Sequence, residues 1–339
     1  MIIMNMKEFI HRGLLLAVVF LLLGALSIHA GVGDLITKQV TVKLDFAGSL
    51  PYCISSSEKY RITNLKVVGE INGTDLGFIR EMAGFNNWEE TDGKLTILDL
   101  FETKIVKGGS SYLFNSEDHR GWENGYYPTS NDCLPLYVFY GCWRLESLSL
   151  PSSITSIEEY ALCGCMHLES LTIPEGLISI GERAFEGCSS LTNISIPSSV
   201  TSIGEHAFGD CRGLKSIVLP SSITTIEYGA FYGCSRLENI YSYMESLPKL
   251  GEALFTFCNS KECTVYVPKG TYENYRQSEF GYFENIVEFD ATGIDKVNTS
   301  TNAKEVSRYS VNGQRLSSPA KGLNIVKYSD GSVKKVAIQ

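Results

Sequence analysis

Ten cysteines stand out among the residues able to do chemistry in this 339-residue chain. Five of them, Cys142, Cys165, Cys188, Cys211 and Cys234, share one phase of a repeat. Stacked turns would bring such Cα atoms to about 5 Å, inside the disulfide window. Their Cβ vectors would run parallel, however, and an odd number cannot all pair. Thiolate zinc sites use C-x-x-C pairs, and Cys163-Gly164-Cys165 is spaced too tightly for that arrangement. The column reads as buried, inert thiols that fill the corner of each turn. Cys258 and Cys263 can bridge a short loop in an oxidising compartment or stay reduced. Cys53 and Cys133 read as free thiols.

Other catalytic tools are scarce. The chain has five histidines, and His11 and His29 fall in a segment that reads as an export signal. His119, His167 and His206 are scattered, with His167 and His206 expected on exposed turns. No H-E-x-x-H, G-x-S-x-G or P-loop pattern occurs. Acidic pairs such as Glu158-Glu159 read as solvated corners, whereas a glycosidase needs two carboxylates facing each other across a cleft. No catalytic residue, metal or cofactor is expected. Aromatic residues offer a different chemistry: Trp122, Tyr126 and Tyr127 could stack on sugar rings from a Gly-, Asn- and Tyr-rich stretch between 108 and 133.

The elements that position these residues follow a 23-residue step. Leu145, Leu168, Leu191, Leu214 and Leu237 form one column; Leu148, Leu171, Ile194, Ile217 and Ile240 form the next. Ile157, Ile180, Ile203 and Ile226 form a third, and Ala161, Ala184, Ala207 and Ala230 a fourth, with Ala253 falling in the same arithmetic phase. A unit this short cannot enclose a core, so each turn must stack on its neighbour and bury the shared columns. The segment Leu145-Glu-Ser-Leu148-Ser-Leu150-Pro151 predicts a short strand that the proline, lacking an N–H, brings to an end. The expected fold is a β-rich, right-handed solenoid over 134–290.

Residues 31–133 lack the step and read as an irregular capping region. Strands are predicted at 62–67 and 95–100, and a short amphipathic helix at 76–82. Residues 1–30 combine Lys7 and Arg12 with a short apolar run ending before Ala30, the pattern of a cleaved signal peptide. Residues 291–339 form a Thr- and Asn-rich linker followed by two predicted hairpins, around Asn312-Gly313 and Asp330-Gly331. The net charge is −9 overall, with about +1 in residues 1–30, about −15 in the body and about +5 in this tail. An acidic body argues against a nucleic-acid partner, since phosphate binding needs clustered Lys and Arg.

The run Ala184-Phe185-Glu186-Gly187-Cys188-Ser-Ser-Leu191-Thr-Asn-Ile194-Ser-Ile196-Pro197-Ser-Ser-Val200-Thr-Ser-Ile203-Gly204 closely resembles the BspA-type leucine-rich repeat. The tail resembles the C-terminal sorting domain of type IX secretion. Together these resemblances imply an exported or cell-surface bacterial protein, monomeric and non-catalytic. The implied role is adhesion to a host matrix protein or another cell-surface protein.

The positions that alternate with the buried columns are the expected binding face. One row runs Glu146, Glu169, Thr192, Lys215, Glu238; its neighbour runs Ser147, Ser170, Asn193, Ser216, Asn239. A third runs Ser149, Thr172, Ser195, Val218, Tyr241. All three are expected to be exposed. The alternative is a glycan-binding or glycan-handling surface protein that makes contact through Trp122, Tyr126 and Tyr127.

Overall fold

Buried Leu and Ile columns need parallel, in-register neighbours, and a computed structural model shows how they obtain them. It describes residues 34–86, 89–112 and 129–289, and four tail strands between 305 and 338. The predicted export signal and the Trp122, Tyr126 and Tyr127 loop lie outside the described residues.

The N-terminal region supplies β1 (Val40–Lys43), the short helices α1 (Leu50–Cys53) and α2 (Ser56–Lys59), and β2 (Asn64–Ile71). Helix α3 (Gly73–Met82), the pair β3 (Phe85–Asn86) and β4 (Glu89–Glu90), β5 (Ile97–Asp99) and β6 (Thr103–Ile105) complete it. Helix α3 starts at Asn72, whose side chain accepts from the Thr74 N–H while Asp75 accepts from the Asn72 N–H, a reciprocal cap. Asp75 also accepts from the Gly48 and Leu50 backbone N–H groups, so one buried carboxylate ties the helix to the preceding loop. Arg80, fully buried, donates to the carbonyls of Tyr137, Val138 and Tyr140 and fastens α3 to the repeats.

The repeats alternate two kinds of strand. Short ones are β7 (Cys133–Leu134), β9 (Ser156–Ile157), β11 (Ser179–Ile180), β13 (Ser202–Ile203), β15 (Thr225–Ile226) and β17 (Lys249–Leu250), all in one parallel sheet. The others are β8 (Ser147–Ser149), β10 (Ser170–Thr172), β12 (Asn193–Ser195), β14 (Ser216–Leu219) and β16 (Asn239–Ser242). Strands β1, β2, β5, β8 and β10 form one sheet path; β12, β14 and β16 continue another through β18 (Thr264–Pro268) and β19 (Asn285–Phe289). Ile157, Ile180, Ile203 and Ile226 are direct cross-strand partners, so the columns seen in the sequence coincide with hydrogen-bonding register. Between β18 and β19 lie α4 (Tyr272–Arg276) and a 3-10 turn at Glu279–Tyr282, which close the stack.

The corner between strands depends on two left-handed positions per turn. The second is Gly141, Gly164, Gly187 and Gly233, with φ between +71° and +76°; Asp210 takes it at +51° and Phe257 at +65°. Glycine suits this site because only it adopts that region without a Cβ penalty. Inside the corner Phe185, Phe208, Phe231 and Phe255 stack with centroids 5.1–5.7 Å apart and rings nearly parallel.

One phase assignment is corrected. Ala253 does not join the alanine column: the Phe231 N–H bonds the Leu254 carbonyl, where the equivalent bonds of earlier turns reach Ala184, Ala207 and Ala230. Tyr241 still pairs with Val218, but Lys249 pairs with Thr225. One extra residue therefore enters between β16 and β17 and shifts everything after it.

The tail contributes β20 (Glu305–Ser310), β21 (Arg315–Leu316), β22 (Gly322–Tyr328) and β23 (Val333–Ile338) in one antiparallel sheet. Pairs β20–β21 and β22–β23 have the hairpin connectivity predicted from the two turn dipeptides.

Candidate functional site

The thiol column is structural. Cys165, Cys188, Cys211, Cys234 and Cys258 are buried, and each Sγ–H donates to the carbonyl of the bulky corner residue one turn earlier. The acceptors are Phe139, Leu162, Phe185, Phe208 and Phe231, at 3.1–3.4 Å. Cys258 joins despite the inserted residue. Burial pushes the Cys142, Cys165, Cys188 and Cys211 thiols up, Cys142 to about 11, which keeps them protonated and unreactive. All ten cysteines are free, so Cys258 and Cys263 are not bridged. Among the described residues, no cluster of three or more His, Cys, Asp or Glu could hold a metal ion. His167 is exposed beside Trp143, whereas His206 is half-buried against Tyr228 and Tyr232.

The three expected face rows do not share one fate. Glu146, Glu169, Thr192, Lys215 and Glu238 are exposed throughout. In the second row Ser147, Asn193 and Asn239 are half-buried and Ser170 exposed, but Ser216 is buried. In the third, Ser149 and Ser195 are half-buried and Thr172 is exposed, while Val218 and Tyr241 are buried. The expectation of exposure is therefore wrong for Ser216, Val218 and Tyr241. Val218 and Tyr241 belong to a second apolar cluster with Tyr266 and Phe289 on the face opposite the core. The face is open over β5, β8, β10 and β12 and closed over β14, β16 and β18.

Within the open half the sheet is interrupted. Strand β10 ends one sheet path and β12 begins the next. Among the described residues no backbone hydrogen bond joins Glu169–Ile173 to Thr192–Ser195, although Lys215 N–H still donates to the Thr192 carbonyl on the far side. Leu171 and Ile173 are only half-buried, whereas their column mates Leu148, Ile194, Leu150 and Ile196 are at most 4% exposed. The slit is bounded at both ends. The Ser190 N–H donates to the Met166 carbonyl at one; the Ser199 hydroxyl donates to the Glu175 and Leu177 carbonyls at the other.

The result is a cleft of about 270 Å³. Its lining comprises Glu169, Ser170, Thr172, Thr192, Asn193 and Ser195 from the expected face, and Leu171, Ile173, Glu175 and Pro197 besides. Two parallel strand edges face each other across it with polar side chains and two carboxylates on the rim. Such edges can accept an added extended strand through main-chain hydrogen bonds. Sequence reasoning missed Leu171, Ile173, Glu175 and Pro197. The one available signal was Pro174-Glu175-Gly176, where the other units have Pro-Ser-Ser.

Comparison with protein families assigns the repeats at this point. Residues 133–262 match the BspA type leucine rich repeat region in six copies. The BspA-type segment thus spans β7 through the turn before β18, including both sides of the cleft. Among solved structures, a leucine rich repeat protein of T. pallidum is 29% identical, covering 42% of this chain and 74% of that one, with a TM-score of 0.32. A leucine rich cell surface protein of Faecalibacterium prausnitzii is 22% identical over 73% of this chain, TM-score 0.33; this chain spans 59% of its length. The pneumococcal vaccine antigen PcpA is 16% identical, covering 74% of this chain and 67% of that one, TM-score 0.39. The curated proteins contain no match. No helix among the described residues is long and apolar enough to cross a membrane.

Proposed function

We propose that this protein is a non-catalytic, exported surface protein that recognises a protein ligand through the open half of its strand face. The β10–β12 cleft is the focus of that contact. Supporting the reading, the BspA-type repeats are similar to bacterial surface proteins, and the cleft offers the unpaired strand edges that protein recognition by strand addition uses. Glu169 and Glu175 on its rim favour a segment carrying Lys or Arg. A host matrix or cell-surface protein fits this description, and the tail, with its resemblance to a sorting domain, serves delivery.

The experiment is a matrix-protein and glycan array probed with the full mature chain, with a Glu169→Lys/Glu175→Lys variant, and with a 113–128 deletion. Retained protein ligands lost in the double variant and kept in the deletion carry the reading. Glycan binding lost only in the deletion would transfer the role to Trp122, Tyr126 and Tyr127.

A further inference from the structure

The closed half of the strand face raises a physical question of its own. Val218, Tyr241, Tyr266 and Phe289 are at most 5% exposed. Yet they point away from the core, because their strand neighbours Ile217, Ile240 and Val265 belong to the main cluster. Residues of a sheet cannot cover their own outer face. The cover is also bounded: Ser195 in the preceding turn is half-buried, and Val287, paired with Tyr266, is 36% exposed. Tyr243, just past β16, packs edge-on to Phe289 at 5.4 Å and covers that end of the patch; over Val218, Tyr241 and Tyr266 sits something about the width of three strands.

The tail poses the matching question. Its four strands form one antiparallel sheet, and a lone sheet leaves both faces to water. Nevertheless Val326 is 0% exposed and its cross-strand partner Arg308 only 7%. The outer face of β14, β16 and β18 and the one described side-chain pair of the tail sheet are thus each covered by something outside their own sheet.

We propose that the tail sheet docks back on the outer face of β14, β16 and β18, setting its Arg308–Val326 face over Val218, Tyr241 and Tyr266. The chain permits it: Phe289 is itself part of the patch, and residues 290–304 can span roughly 50 Å when extended. Charge favours it, since a basic tail meets an acidic body. Tyr–Tyr stacking of 241 on 266, with centroids 4.7 Å apart, supplies a flat aromatic seat that a cationic sheet face suits. Docking divides the strand face in two: the last repeats hold the tail and the earlier ones stay open. Losing the tail would bare an aromatic patch that the intact protein keeps hidden. The docking needs no external ligand, so it stands or falls separately from the adhesive reading.

The test is a full-length chain carrying a specific protease site between Ser300 and Thr301. After cleavage, the tail fragment should co-elute with the body on gel filtration at micromolar concentration. Val218→Lys with Tyr241→Lys should weaken that association at least tenfold; Ser149→Lys, in the same row on the open half, should not. Should the double variant fail to fold, hydroxyl-radical footprinting of the unsubstituted protein decides the matter. Tyr241 and Tyr266 should be protected before cleavage and labelled once the tail is stripped in high salt. Fragments that separate at once, or equal labelling with and without the tail, would overturn the proposal. So would a full-length dimer that Val218→Lys dissociates, because a second copy would then be the cover.

Discussion

A cysteine that recurs once per turn invites a redox or metal reading, and its surroundings answer it. Cys188 has no water contact, and its thiol donates to the Leu162 carbonyl at 3.4 Å. Its role is to fill the corner and engage a carbonyl that faces the next turn. Cys188→Ala should cost about 1–2 kcal/mol through lost burial, measured by urea unfolding, and should leave ligand binding unchanged. Thiol labelling of the native protein gives the complementary result. Cys163, half-buried beside the column, is pushed up to about 12 by burial, so its thiolate is scarce at pH 8. Disulfide reagents should react with the column only after denaturation; rapid native labelling of Cys188 would show that the corner opens.

At the scale of elements, the interface between the irregular N-terminal region and the repeats rests on α3. Arg80 donates three bonds to the carbonyls of the chain that opens the first corner, and it has no solvent exposure. Arg80→Ala leaves those carbonyls in a dry site and should cost about 3–5 kcal/mol. The loss should appear as early melting of the 34–112 region, seen by amide exchange as lost protection of β2 and α3 while β14 and β16 stay protected. Uniform loss across the chain would mean that the N-terminal region is not a separable cap. The helix itself was legible from the i, i+3 spacing of Leu76, Ile79 and Met82. The arginine's partners were not, because they are carbonyls about sixty residues away, and a backbone carbonyl leaves no mark in a sequence.

For the whole molecule, stability is carried from turn to turn. Each repeat contacts its neighbours through shared columns, so damage to one column should propagate to both sides. Leu191, 1% exposed, and Thr192, exposed, are adjacent in sequence but lie on opposite sides of the wall. Leu191→Asp buries an unpaired charge and should remove more than about 4 kcal/mol, whereas Thr192→Asp should stay within about 0.5 kcal/mol. Paired thermal melts settle this, and equal losses would displace every assigned column by one residue.

The repeat, its inward columns, its parallel stacking and the hairpins of the tail could all be read from residue types and spacing. That information is local and periodic: a side chain that must be buried every 23 positions announces itself. Only the tertiary structure decided three other things. The slit between β10 and β12 depends on whether two equivalent strands close their ladder, and their residues, Ser170–Thr172 and Asn193–Ser195, look as able to pair as any others. The outer face of β14 to β18 is closed because another surface lies over it, and the alternation that marked Val218 and Tyr241 as outward says nothing of what stands outside. The third is where the added residue enters: Cys258, one residue late, marks a drift in the sequence, but Ala253 in arithmetic phase points to a later place than the Lys249–Thr225 pairing shows. Periodicity determines which way a side chain points; what it meets there is set by chain segments far away in the sequence.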